Sequence, residues 1–124
     1  MPVEIVNWIE IPVTEPERAR KFYEAVFEFK IVDMEVGTES YACFPNKNGD
    51  GFSGALVQYE FTIPGRQGPL VYLNAYNNID SMLERIESAG GKVIEPKKEI
   101  APGFGFFALF EDSEGNMLAL QSES

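Results

Sequence analysis

The chain of 124 residues contains no histidine. Histidine is the commonest protein metal ligand and the usual general base near neutral pH. Its absence removes zinc sites of the ordinary kind and any serine or cysteine nucleophile activated by an imidazole. Carboxylate, amide, tyrosine and lysine chemistry is what remains. Cysteine is nearly as scarce. The single Cys43 cannot form a disulfide within the chain, which fits a reducing cytoplasm. It sits in the apolar run Tyr41-Ala42-Cys43-Phe44 and reads as a small core residue rather than a nucleophile. Positive charge is in short supply too. Ten Lys and Arg face 20 Asp and Glu, for a net charge of −10. Nucleic acids and anionic membranes need a basic surface, so neither is expected as a partner. No apolar run approaches the roughly 20 residues of a membrane span. The N-terminus has no basic-then-apolar leader pattern.

What is present is packing material. The chain is 44% hydrophobic, with ten Phe, five Tyr and one Trp. That suits one domain over residues 1–124 with a substantial core. Residues 3–13 alternate with period two, as a strand between two environments does. Val3, Ile5, Ile9, Ile11 and Val13 share one face with Asn7. This face is expected to pack on helices. Glu4, Val6, Trp8, Glu10 and Pro12 share the other, which reads as a pocket wall.

Thr14 is expected to cap a helix, with Glu17 completing a capping box and Pro16 in the first turn. The apolar stripe of that helix is Ala19, Phe22, Tyr23, Val26 and Phe27. Strands are expected over 29–36, 40–44 and from 54 to about 61. Residues 62–69, with two Pro and two Gly, read as a linker. The order then recurs. A strand over 70–76 leads to a helix carrying Ile79, Met82, Leu83, Ile86 and Ala89, which stops at Gly90-Gly91. Short strands follow at 92–94, 106–110 and 117–121. The 112–116 segment reads as a hairpin turn rather than a calcium loop, because it lacks the length and the distal bidentate Glu.

The two halves match in element order at one offset of 63 residues: Trp8 with Val71, Glu15 with Asn78, Phe27 with Gly90. The expectation is an α+β fold of two strand-helix-strand-strand-strand modules, about 1–61 and 70–124. Their pairing would give a curved sheet around a central cavity, with the helices on its outer face.

The chain resembles the glyoxalase/bleomycin-resistance/extradiol-dioxygenase, or vicinal oxygen chelate, superfamily over nearly its whole length. The likeness rests on Trp8-Ile9-Glu10-Ile11-Pro12-Val13-Thr14-Glu15 leading to Lys21-Phe22-Tyr23-Glu24-Ala25-Val26-Phe27. It rests also on Ala89-Gly90-Gly91-Lys92-Val93, on Phe106-Phe107-Ala108, and on Phe110-Glu111-Asp112-Ser113-Glu114-Gly115-Asn116. The resemblance implies paired βαβββ modules in a U-shaped mixed sheet, and commonly a homodimer. Catalytic members hold a divalent metal through His, Gln or Glu on inner strands. The resemblance puts those positions on Trp8, Val71, Ala119 and near Leu56. Neither an indole nor an aliphatic group ligates such a cation. The expectation is therefore the fold without a metal and without any other cofactor.

The inner wall is expected to comprise Trp8, Glu10, Val71, Leu73, Phe106, Ala119 and Gln121, with Ala108 adding to it. A mostly apolar wall with one carboxylate and one amide suits a small hydrophobic or aromatic molecule. The leading reading is a cytoplasmic, metal-independent small-molecule-binding protein. Two alternatives stand beside it. One is a metal-free lyase or isomerase with Glu10 as general base. The other is a structural or interaction module whose cavity its own side chains fill.

Overall fold

The computed structural model describes residues 5–124; Val3 and Glu4 of the expected first strand lie outside the described residues. The first module runs β1 (Ile9–Pro12), α1 (Pro16–Phe27), β2 (Val32–Val36), β3 (Glu39–Pro45) and β4 (Phe52–Val57). The second runs β5 (Tyr72–Tyr76), α2 (Ile79–Ser88), β6 (Lys92–Glu99), β7 (Phe106–Glu111) and β8 (Met117–Ser122). The α+β class and the two βαβββ modules are as read from the sequence. The first strand is shorter than its alternation suggested, and β6 is longer, carrying Pro96 within it.

Each module folds its strands into a mixed four-stranded sheet. The orders are β1-β4-β3-β2 and β5-β8-β7-β6. The β1/β4 and β5/β8 pairs are parallel and the rest antiparallel. The parallel pairs exist because α1 and α2 supply the crossovers. β1 can lie against β4 only because residue 54 is glycine; a Cβ there would collide with the Ile9 carbonyl.

The helices fill the space between the modules. Ala19, Phe22, Tyr23 and Val26 of α1 are buried, as are Ile79, Met82 and Ile86 of α2. With Ile11, Leu56, Ala75, Ala108, Phe110, Leu118 and Leu120 they form one core that spans both modules. The ring of Phe22 stacks on Phe110 of the second module at 6.2 Å, while Tyr23 meets Phe44 of the first at 5.9 Å. Burying each such side chain is worth about 1.5–3 kcal/mol. The Arg85 guanidinium of α2 donates twice to the Val26 carbonyl of α1, at 2.9 and 2.8 Å. α1 and α2 touch one another directly. Within one chain the helices are thus not on the outside of a single curved sheet. Their apolar stripes are wide enough to bury against both modules, and the helix-free face of each sheet is left open.

The Thr14 cap is not formed. Glu15 is the N-cap residue and its side chain makes no capping hydrogen bond. The acceptor comes from the far end of the chain. Glu114 Oε1 accepts from the Thr14 and Glu15 backbone N–H groups, both at 2.9 Å, and Arg18 Nε donates to Oε2 at 2.7 Å. Next to it, Asp112 accepts from the buried Tyr23 hydroxyl at 2.6 Å. It accepts also from the N–H groups of Glu114 and Asn116 and from the Asn116 side-chain amide. Asn116 in turn donates to the Pro12 carbonyl at 2.8 Å. The 112–116 turn is a hairpin turn, and its side chains clamp the second module to the first.

Candidate functional site

β1 sends Ile9 and Ile11 to the helices, which leaves Trp8 and Glu10 on the helix-free face. Beside them β3 and β4 place Cys43, Ala55 and Val57, a small buried floor packed by Met34, Tyr41, Phe52 and Tyr59. Glu10 stands on that floor with its carboxylate exposed and oriented. Trp8 Nε1 donates to one oxygen at 3.1 Å and the Tyr59 hydroxyl to the other at 3.0 Å. The Tyr59 ring stacks on Phe61 at 4.7 Å, nearly parallel. Burial, and hydrogen bonds to Tyr41 and Glu10, push the Tyr59 hydroxyl far above the usual tyrosine range. It therefore stays a neutral donor at all physiological pH. Sequence reasoning placed Trp8 and Glu10 correctly on one face and missed Tyr59. The hydroxyl comes from beyond the end of β4, and no local spacing signals its return.

Cys43 belongs to this floor. It is fully buried. Burial, with Asp33 and Glu10 nearby, pushes its thiol up. A native protein is expected to leave a thiol reagent such as Ellman's reagent unreduced for hours at pH 8, with one equivalent reacting at once in denaturant. Fast native labelling would show that the floor is open.

The second helix-free face differs from the expected wall. Ala119 is fully buried on it and Gln121 is exposed on it, as read. Their neighbours in register are Tyr72 and Asn74 on β5, with Phe107 and Leu109 on β7. Val71 and Leu73 pack on the helix side against the common core. Phe106 shares the side of Ala108 and Phe110, under the Lys97 ammonium at 4.7 Å. The reason is one residue. Glu10 pairs with Ala55 and Tyr72 with Ala119, so β1 and β5 correspond at an offset of 62 (72 − 10). The N-caps Glu15 and Asn78 correspond at 63 (78 − 15). The extra residue is absorbed where the β5–β8 register shifts between Asn74 and Tyr76. There Tyr76 takes φ +53 and its N–H is held by Asn74 Oδ1 at 2.7 Å. A one-residue change in period-two structure exchanges the faces.

Three clefts open among the described residues. One of about 530 Å³ runs along the second face, past Tyr72, Asn74, Phe104 and Gln121, with Leu73 at its edge. One of about 700 Å³ lies between the modules among Tyr23, Phe27, Phe29, Phe44 and Met82. The third, about 280 Å³, flanks the start of α1 near Arg20 and Asp33. Gln121 lines the first, and Trp8 and Glu10 line none of the three. One chain therefore does not bring the two halves of the expected wall together.

A divalent metal does not fit these residues. The positions that face away from the helices carry Trp8, whose N–H already serves Glu10, the buried Ala55, Val57 and Ala119, and on β5 Tyr72 in place of Val71. Among the described residues no three His, Cys, Asp or Glu are grouped to hold an ion. No helix among them is long and apolar enough to cross a membrane.

The family model described as Glyoxalase/Bleomycin resistance protein/Dioxygenase superfamily matches residues 5–120. A glyoxylase-like domain-containing protein of Didymella fabae is 29% identical over 117 residues, covering 93% of this chain and 91% of that one. Among solved structures, the glyoxylase/bleomycin resistance protein/dioxygenase domain of Frankia sp. EAN1pec superposes with a TM-score of 0.73 at 19% identity, covering 99% of this chain and 100% of that one. TnmS3, an antibiotic binding protein from Streptomyces sp. CB03234, superposes with a TM-score of 0.63 at 21% identity, covering 100% and 99%.

Proposed function

Because the chain belongs to the Glyoxalase/Bleomycin resistance protein/Dioxygenase superfamily, we propose that it is a metal-independent, cytoplasmic small-molecule-binding protein that works as a homodimer. Its ligand is a small hydrophobic or aromatic molecule. The observation that carries this reading is the open face around Trp8, an oriented carboxylate on a buried apolar floor with the indole 41% exposed. The second module offers a similar half-wall at Tyr72, Asn74 and Gln121. The helices hold these two faces apart within one chain. A second copy completes a cavity when the first-module face of one protomer closes on the second-module face of its partner. Covering roughly 200 Å² of apolar ligand surface at about 25 cal/mol per Å² contributes about 5 kcal/mol before association costs. The printed description of TnmS3 as an antibiotic binding protein is in keeping with such a use of the fold.

The test is a thermal-shift screen of the purified protein against metabolites, hydrophobic antibiotics and divalent metals, with metal content assayed alongside. A ligand at a hundred times its Kd is expected to stabilise by about 2.7 kcal/mol, a rise of roughly 10 °C. It is expected to quench Trp8, the one tryptophan. Stoichiometric bound metal would overturn the metal-free part of the proposal.

The second reading, metal-free proton transfer by Glu10, is favoured by one observation: Tyr59 and Trp8 hold that carboxylate in place. Both donors are already used by Glu10, however, which leaves none for a developing oxyanion on a substrate. An activity unchanged in Glu10→Gln would eliminate this reading.

A further inference from the structure

We propose that the ligand of the Trp8 face carries a positively charged nitrogen, an ammonium or guanidinium borne on a flat or apolar body. The inference deepens the proposed function and rests on it, since it assumes that this face is a ligand wall closed by a second protomer.

Glu10 has no cationic partner among the described residues. Arg18, Arg20, Arg66, Arg85 and Lys97 all form ion pairs with carboxylates among the described residues, and none of these is Glu10. Its fixed neighbours are aromatic. The indole N–H and the phenol O–H each take one lone pair, one on each oxygen. Each oxygen keeps a second lone pair for a donor arriving from the open side. The rings that carry these donors are Trp8, which is partly exposed, and Tyr59, which stacks on Phe61. An exposed aromatic face attracts cations and not anions.

Closure makes the charge decisive. An exposed carboxylate needs no counter-ion, but one covered by a second protomer loses water at a cost of several kcal/mol unless it is paired. The opposing half-wall cannot supply the pair from its centre. β5, β8 and β7 contain no Lys or Arg; the basic residues of that sheet are confined to its edge strand, β6, and the Lys47 ammonium from the first module is engaged over the Tyr76 ring at 5.4 Å, at the end of that wall. The missing positive charge falls to the ligand. The net charge of −10 concentrates cations around the protein before they bind.

The experiment titrates the 124-residue protein with benzylammonium, benzyl alcohol and benzenesulfonate at about pH 7, reading Trp8 fluorescence, with sedimentation run in parallel. The cation is expected to quench saturably, about tenfold or more tighter than the neutral alcohol, and the sulfonate to have no effect. Added KCl is expected to weaken the cation alone. Glu10→Gln is expected to cost the cation at least about tenfold and the alcohol much less, since an amide oxygen still accepts from a hydroxyl. Its melting temperature should match the parent, because an amide oxygen still accepts from Trp8 or Tyr59. Equal binding of all three probes, an unaltered cation affinity in Glu10→Gln, or no response to the cation overturns the inference. Binding of the alcohol and the sulfonate without the cation overturns it while leaving the ligand wall standing. A monomer that answers to none of the three removes the wall itself.

Discussion

Asp112→Ala is expected to lower the melting temperature by about 10–20 °C. Asp112 is buried on the line between the two modules and has four donors aimed at it. Alanine takes that acceptor from all four, and only the Asn116 side-chain amide keeps another, the Pro12 carbonyl. Three of them are buried, and of these the Tyr23 hydroxyl and the Asn116 N–H have no other acceptor. An orphaned buried donor costs about 1–3 kcal/mol, so a total of about 4 kcal/mol is a fair expectation. For a domain of this size each kcal/mol moves the midpoint by roughly 3–5 °C. Tyr23→Phe is the companion variant. It removes one donor and is expected to cost about 1–2 kcal/mol. Burial raises the Tyr23 hydroxyl well above the usual tyrosine range, and the Asp112 charge adds to this. The bond therefore persists to high pH. Differential scanning calorimetry of the three proteins decides the matter. A loss below about 1 kcal/mol for Asp112→Ala would show that the clamp is not what joins the modules.

Glu114 is expected to govern acid stability. Its side chain has no exposed surface. Burial alone would raise its carboxyl, but Arg18, the N–H groups of Glu15 and Thr14, and the Ser113 hydroxyl together lower it from 4.5 to about 2. A carboxylate held below its unfolded value binds fewer protons folded than unfolded. The stability it confers is whole above about pH 4.5 and is lost as pH falls toward 2. A gap of about 2.5 units corresponds to roughly 3 kcal/mol. Glu114→Gln is expected to lose about 2–3 kcal/mol at pH 7, because the amide keeps one acceptor and forfeits the charge. Between pH 4.5 and 2 its stability is expected to fall less steeply than the parent's, so the two curves converge. Urea unfolding at pH 7, 4.5 and 3 measures this. Parallel curves would assign the acid sensitivity to other carboxylates.

The fold was legible in the chain because its signals are local and repeated. Phe22, Tyr23 and Val26 recur at helical spacing, and all three are buried. Eight strands and two helices follow in the expected order. The site was legible on β1 alone. Trp8 and Glu10 follow from alternation, since nothing breaks the period before Pro12. On β5 the offset of 63 from Trp8 and Glu10 chose Val71 and Leu73 in place of Tyr72 and Asn74. The bulge at Tyr76 has no local mark: a tyrosine at positive φ is not what glycine or asparagine would have announced. The Thr14 cap failed for a different reason. Capping boxes are read within four residues, whereas the acceptor that serves this helix is 100 positions away. Glu10 was singled out as a base from its type. Its actual neighbours, an indole and a phenol, were set by the return of Tyr59 after β4.

The clamp also has a bearing on birth order. Thr14 and Glu15 receive their acceptor, and Tyr23 its own, from residues made some 90–100 positions later. At roughly 5–20 residues per second of translation, the first helix waits on the order of 5–20 s for Glu114 to be synthesised. During that interval its opening N–H groups are bare, and Phe22 lacks the ring of Phe110 on which it stacks. The two modules look alike in outline, yet the first does not mature while the second is being made. Both become native together, once the ribosome has released the turn that joins them.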